Sequence, residues 1–411
     1  MINQVSFKNY KIFKDKQTIQ LKPITILIGK NNTGKSAVLK LMTLIEGGLS
    51  GKNDKVFELN NDDVIIGNEF KDLIHGKFSR ALDLELVDKS SKIDSYLKTS
   101  IIVDSNKDTP IIETWKLNKK DNEKSEELKL DLYRNSESSY INIIDDLEYS
   151  CYFDGIWLSK YHNSDNKLKE IIIQQPFLNT DFIGAIRDKA KLDYRLNSES
   201  IKSGIDGKYL YDFLIRDYLT TEKIYFNKVS NWISEKFEGW SLYIDVDSEP
   251  YHIRLRKGNL DIDLTESGMG ISQSLPLITR AFKPCQEETL IIIEEPESHL
   301  HPYAHSQIAQ LFAESVKEDR NKKYLIETHS QNFILRLRRL IAEGFLSADD
   351  LGIYYVDFDE EKNESNLIEV EIDEGGGVKW WPEGIFGETT IETRAIYNAQ
   401  LNDVRNVDSD K

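Results

Sequence analysis

The sequence predicts an α/β architecture: a mixed or parallel sheet with covering helices, an antiparallel β subdomain and a helical insert. Three observations predict it. Apolar runs at Ile24–Ile28 and 290–293 have the length and branched content of strands buried on both faces. From residue 271 onward helical and strand patterns alternate, as they do when helices cover a parallel sheet. Between 78 and 153 the pattern is strand-like and broken by turn signals such as Ser105-Asn106-Lys107-Asp108.

In chain order, residues 2–7 and 16–21 alternate apolar and polar and predict a strand pair leading into the buried strand Ile24–Ile28. A helix is expected from Lys35 to about Glu46, and a loop-rich stretch over 47–63. The charge run at 118–124 predicts a solvated hairpin tip. A further buried strand is expected at 171–173 or 182–186. Residues 209–237 have helical spacing, with Leu210, Phe213, Leu214, Tyr218, Phe226, Val229 and Trp232 on apolar faces suited to core or a subunit interface. A helix at 275–282, strand 290–293, helix 305–316, strand 324–327, helix 333–342 and strand 352–357 follow, and 404–411 is polar and frayed. The expected division is an N-terminal lobe at 1–187, a helical insert at 188–260, a C-terminal lobe at 261–357 and an appended segment at 358–411.

The chain has 411 residues, 53 basic and 70 acidic, for a formal net charge of -17. That balance favours solubility and argues against a chain-wide basic surface for nucleic acid. Cys151 and Cys285, with no signal peptide, predict reduced cytosolic thiols, hence a cytoplasmic protein. No apolar run is long enough to span a bilayer, so no membrane role is expected.

Gly29-Lys30-Asn31-Asn32-Thr33-Gly34-Lys35-Ser36 matches G-x-x-x-x-G-K-[ST] between a strand and a helix. Small residues let successive backbone N–H groups turn inward as a nest for phosphate, and the helix start adds the positive end of its dipole. Gly29, Asn31, Asn32, Thr33, Gly34, Lys35, Ser36 and Ala37 are the expected ATP contacts. Lys35 would reach the β- and γ-phosphates and Ser36 would offer its hydroxyl to Mg²⁺. At 290–295 four apolar residues run into Glu294 and Glu295, at the strand end where open α/β sheets hold ligands. Glu294 is expected to hold Mg²⁺ through water, and Glu295 to polarise the attacking water as general base. Tyr324-Leu325-Ile326-Glu327-Thr328-His329-Ser330 is another strand ending in polar residues, with His329 placed to sense the γ-phosphate. Ser267, Gly268 and Gly270 make a second small-residue loop at a helix start, hence a second anion site, which would close over nucleotide held by a partner's P-loop.

This order of P-loop, Ser-Gly-x-Gly loop, hydrophobic-Glu-Glu and His resembles the ABC ATPase pattern of Walker A, signature, Walker B and switch histidine. Glu294 stands where transporter subunits carry Asp, and Glu-Ser-Gly-Met-Gly-Ile-Ser-Gln replaces their signature. Glu294-Glu295-Pro296-Glu297-Ser298-His299-Leu300-His301-Pro302 is similar to the cytosolic branch of SMC-like repair ATPases and overcoming-lysogenization-defect (OLD) proteins. The resemblance implies an ABC-type ATPase head in which 297–301 is the D-loop communicating across a dimer. Residues 68–76, 183–187 and 203–207 are also similar to bacterial ATPases of this branch, and Trp381-Pro382-Glu383-Gly384-Ile385-Phe386 resembles an appended domain of unknown function. Gln174 and Gln175 are the candidates for the family's Q-loop glutamine, and for Arg187 a salt bridge is expected ahead of a nucleotide contact.

OLD proteins carry a Toprim nuclease domain after the ATPase. No Asp-x-Asp here is preceded by a Toprim-like Glu strand, and 357–361 reads as an acidic strand end, so no intrinsic nuclease is expected. The resemblance then implies an ATPase subunit of an anti-phage defence system (PARIS-like or Septu-like), a head-to-tail homodimer or higher homo-oligomer with a separate nuclease or toxin as effector. The alternatives are a nucleic-acid clamp or nuclease component resting on Arg336, Arg338 and Arg339, and a scaffold that holds an inhibited partner with ATP as structural glue. Asn321-Lys322-Lys323-Tyr324 lacks the Asp that reads guanine, which argues against a GTPase.

Overall fold

The computed structural model describes residues 1–51, 55–77, 80–89, 93–104, 109–121, 126–136, 139–163, 168–170, 175–196, 199–246, 249–387 and 391–400. It opens with strands β1 (Gln4–Lys8), β2 (Gln17–Gln20) and β3 (Ile24–Ile28), then helix α1 (Lys35–Ser50) and a short pair, β4 (Asn60–Asn61) and β5 (Val64–Ile65). Eight strands follow: β6 (Leu82–Lys89), β7 (Ile93–Asp104), β8 (Thr109–Asp121), β9 (Glu126–Arg134), β10 (Ser139–Asn142), β11 (Leu147–Asp154), β12 (Trp157–Asn163) and β13 (Leu168–Glu170). Strand β14 (Thr180–Ile183) precedes helices α2 (Lys208–Leu219) and α3 (Ile224–Lys236) and strands β15 (Ser241–Asp245), β16 (His252–Lys257) and β17 (Leu260–Asp263). Helix α4 (Met269–Phe282) leads to β18 (Thr289–Glu294), α5 (Pro302–Glu318), β19 (Lys322–Glu327), α6 (Gln331–Ala342), β20 (Leu351–Asp359) and β21 (Glu364–Glu369).

The central sheet has six strands in the order β14-β18-β19-β3-β20-β21, parallel except for β21. Its residues alternate between two cores, as the two-residue period of a strand requires. Ile24, Ile26, Ile28, Ile291, Ile293 and Ile326 pack with α4, α5 and α6. Leu27, Leu290, Ile292 and Leu325 pack with α1 and the second large sheet. That second sheet is antiparallel, has ten strands and runs from β13 back through β6 to β1 and β2. The predicted mixed or parallel sheet and antiparallel subdomain are thus both present. The segment 188–260 holds α2, α3, β15 and β16, and its three-stranded sheet runs on through β17 to Asp263.

Several elements differ from their expected bounds. Helix α1 continues past Gly47 to Ser50 because its last turn is packed on both sides: a Cβ on Gly48 would meet the Phe57 ring at 2.9 Å, and the Gly48 carbonyl accepts the Ile156 amide at 2.8 Å. The expected helical stretch 209–237 is two helices. The charge run is not all tip: β8 carries Asn118, Lys119, Lys120 and Asp121 in register with β9, and Lys119 is buried. The rest of that run, the turn 105–108, the strand option at 171–173 and the tail 404–411 lie outside the described residues. Helix α4 starts at Met269 rather than Leu275, with Pro276 inside it. Proline cannot donate to the carbonyl four residues back. Here the Tyr211 hydroxyl of α2 donates to that carbonyl, of Ser272, at 3.1 Å.

Candidate functional site

Strand β3 lies between β19 and β20, so the loop at its C-terminal end opens at the middle of the sheet edge. Two glycines shape that loop. Gly29 has φ +153°, and a Cβ on it would stand 2.5 Å from the Val356 carbonyl oxygen of β20. Gly34 has φ +102°, and a Cβ there would lie 2.7 Å from Ile12 Cγ2. Neither place admits a side chain. Asn31 and Asn32 are exposed, and the buried Thr33 hydroxyl donates to the Lys30 carbonyl at 3.0 Å. Lys35, Ser36 and Ala37 form the first turn of α1, where the Ala37 carbonyl accepts the Tyr10 hydroxyl. The Lys35 ammonium curls back over the loop and donates to the carbonyls of Gly29 (3.1 Å) and Lys30 (2.7 Å). Burial lowers its pKa, and Glu327 opposes the shift from 3.6 Å.

Glu327 is absent from the expected site, and the structure sets it at the centre. Strands β18 and β19 pair in parallel with Glu294 opposite Glu327, and Glu327 in turn pairs with Leu27 of β3. The Ser36 hydroxyl donates to Glu327 Oε2 at 2.7 Å. The available signal was an apolar run closing on a carboxylate, as at 290–294, just before Thr328-His329. Glu294 accepts the Ala185 amide at 3.4 Å, and its pKa is raised by burial and then by Glu327. Glu295 turns out of the strand at φ +43°, with its amide donating to the Glu327 carbonyl at 2.8 Å. Its carboxylate accepts the Ser298 hydroxyl at 2.8 Å and is close enough to act electrostatically on Lys35.

His329 follows two residues after Glu327 with an exposed side chain. Its amide and the Thr328 hydroxyl donate to the Glu297 carboxylate at 2.5 and 2.8 Å, so the 297–301 segment is tied to the end of β19. Gln174 lies outside the described residues. Gln175 donates to the Leu49 carbonyl, at the opposite end of α1 from Lys35, which removes it from the phosphate loop.

The 267–270 loop is built separately. The Ser267 hydroxyl donates to the Leu264 carbonyl at 2.6 Å, and Gly268 begins α4 without a side-chain cap. Gly270 sits beside the turn after β18, where a Cβ would lie 3.6 Å from the His299 carbonyl oxygen. Arg187 joins α4 to the carboxylate strand. Arg187 is 3% exposed, and its guanidinium donates to the carbonyls of Gln273 (3.2 Å), Glu294 (3.4 Å) and Glu295. Burial brings its pKa down to about 10. The salt bridge expected for Arg187 is therefore corrected: main-chain carbonyls at a sheet edge present acceptors that a planar guanidinium can span.

Residues 1–334 match the AAA ATPase domain family. The chain belongs to that family. Residues 346–396 match a further family described as a protein of unknown function (DUF3696). No curated protein matches the chain. Among solved structures, the chain is similar to the SMC head domain from Thermotoga maritima at 15% identity and a TM-score of 0.43, covering 90% of this chain and 99% of that one. A Smc head domain with an extended coiled coil, bound to the C-terminal domain of ScpA derived from Pyrococcus furiosus, is 13% identical with a TM-score of 0.41, covering 90% and 96%.

The residues fit the nucleotide of such an ATPase. Glycines 29 and 34 leave a cradle that a Cβ would fill, the loop ends on a helix start, and Lys35 stands over it. Ser36 and the two carboxylates supply hard oxygen donors suited to Mg²⁺. Among the described residues no group of three or more His, Cys, Asp or Glu is poised to hold a metal. A site with one or two protein oxygens completed by phosphate is the usual Mg²⁺ arrangement. Among the same residues no helix is long and apolar enough to cross a membrane. The arginines weighed for nucleic acid are engaged within the fold: Arg336 with Gln310 (3.3 Å), Arg338 with the Gly376 carbonyl (2.8 Å) and Arg339 with Glu343 (2.7 Å).

Proposed function

We propose that this AAA ATPase domain is an ABC-type switch: two copies close head to tail around Mg·ATP, hydrolysis opens them, and a separate effector protein responds. Lys35 and the nest of 29–34 bind the phosphates, Ser36 and Glu294 hold Mg²⁺, and Glu295 acts as general base toward water. His329 senses the γ-phosphate. Bound Mg²⁺ would supply charge neutralisation between the phosphates.

The observation that carries this proposal is that the two glycine-bearing helix starts, of α1 and α4, pack on different elements. The start of α1 is set into the sheet edge beside Glu294 and Glu327, whereas the start of α4 packs on the turn at 299–300. Two helix starts of this kind in different surroundings suit a site completed by a second copy. The effector, a nuclease or toxin in anti-phage defence, rests on the resemblance of the Glu294–Pro302 motif and of the C-terminal Trp-Pro-Glu-Gly segment to bacterial defence ATPases.

The test is Glu295→Gln. Loss of a general base is expected to lower ATP turnover by about 100-fold or more, and ATP should then shift the variant to dimer size on gel filtration. A variant that elutes identically with and without ATP would rule out the switch.

A further inference from the structure

Glu327 has two partners, and they make different demands on it. Its side chain is 8% exposed, and its carboxylate lies 3.6 Å from the Lys35 ammonium and accepts the Ser36 hydroxyl proton at 2.7 Å. The hydroxyl has one proton and two lone pairs. Committing the proton to Glu327 leaves the Ser36 oxygen free to face a cation. The ion pair has the opposite consequence for phosphate. Lys35 already gives two donors to the carbonyls of Gly29 and Lys30, and its remaining charge is partly neutralised by Glu327. Glu294 stands in register with Glu327 on the neighbouring strand, so two partly or fully buried carboxylates border the loop. Charges in such a setting act on one another far more strongly than in water. A bare triphosphate brought to this edge would meet both.

Resting on the ATP reading above, we propose that Glu327 is a positioning residue of the phosphate site that makes nucleotide binding depend on Mg²⁺. It competes with the triphosphate for Lys35, and it presents the Ser36 oxygen, with Glu294, to the cation that removes the repulsion. A purely structural Glu327, serving only to keep Lys35 in place, makes the contrary prediction: its loss would weaken nucleotide binding with and without metal alike.

The experiment is equilibrium binding of a fluorescent ATP analogue to wild type and Glu327→Gln, in Mg²⁺ and in EDTA. Removing a buried charge-assisted competitor should tighten binding in EDTA by about 5- to 10-fold and shrink the Mg²⁺ advantage by at least that factor. Affinities that fall in parallel in the two buffers, or that do not change, overturn the proposal. If Glu327→Gln does not fold, Glu327→Asp decides: drawing the carboxylate back from Lys35 must also tighten binding in EDTA, and weaker binding there overturns it. A wild-type chain that binds the analogue in neither buffer would instead overturn the ATP reading itself, and this proposal with it.

Discussion

The Glu297 carboxylate receives the backbone amide of His329 at 2.5 Å, and with it the hydroxyl of the fully buried Thr328 at 2.8 Å. Two loops that leave adjacent strands are thereby fixed to each other. Burial raises the Glu297 pKa, and the two donors pull it back. In Glu297→Ala a buried hydroxyl and an amide lose their acceptor, which should cost about 1–3 kcal/mol. Glu297→Gln retains one acceptor oxygen and should cost less. Urea unfolding of the two variants checks the order, and equal stability of Glu297→Ala and wild type would refute the assigned contact.

Arg187 is the bridge between α4 and the end of β18. Arg187→Met leaves the carbonyls of Gln273, Glu294 and Glu295 without its donors, an expected loss on the order of 3 kcal/mol. Arg187→Lys has a point charge in place of a fork and should recover only part of it. ATP turnover should fall in both variants while ATP affinity changes little, because Lys35 and the glycine loop are untouched. Denaturant midpoints and a comparison of kcat with KM separate the two effects.

Gly29 has main chain against it, so its neighbour cannot give way. For Gly29→Ala the new Cβ meets the Val356 carbonyl oxygen at 2.5 Å in a backbone conformation that L side chains rarely adopt. A stability loss of about 2 kcal/mol or more is expected, together with weaker nucleotide binding. Thermal melting with and without Mg·ATP reads both. A variant as stabilised by nucleotide as wild type would contradict the cradle.

Lys119 gives a pH signature. Burial pushes its ammonium down to about 8 from the ordinary 10.5, against the pull of Asp88 and Asp121. Between those two values the unfolded chain holds a proton that the folded chain has released, so this residue's contribution to stability rises with pH across that window. Lys119→Met removes the cost of the buried charge and should be more stable than wild type at pH 7 by about 2 kcal/mol. The difference should shrink as pH rises from 8 toward 10. Chemical denaturation at several pH values measures it, and a difference that stays level across the window would refute the assignment.

The legible parts of this chain are those where a local pattern and its structural cause coincide. Ile24–Ile28 and 290–293 read as buried strands because both faces of the central sheet are covered, and the glycine loop reads as a phosphate nest because its spacing is itself the geometry. Glu327 was only partly legible: the apolar run that ends on it is in the sequence, but its place opposite Glu294 and under Ser36 lies in strand register. Lys119 was missed for a similar reason, since its burial depends on the ten-stranded sheet and not on its polar neighbours. The start of α4 was expected too late because the small-residue stretch 265–273 reads as loop, whereas the contact that lets the helix carry Pro276, from Tyr211 to the Ser272 carbonyl, is distant in sequence.

Pro276 also bears on how force would travel through this fold. The carbonyls of Ser272 and Gln273, one turn ahead of it, are gripped from outside the helix by Tyr211 and Arg187. Helix α4 is in effect a crank with two pins in its shaft. Its N-terminal end carries Gly268, and one pin connects through a single guanidinium to the main chain of Glu295. A push on that end reaches the carboxylate strand through Gln273 and Arg187 without crossing the sheet.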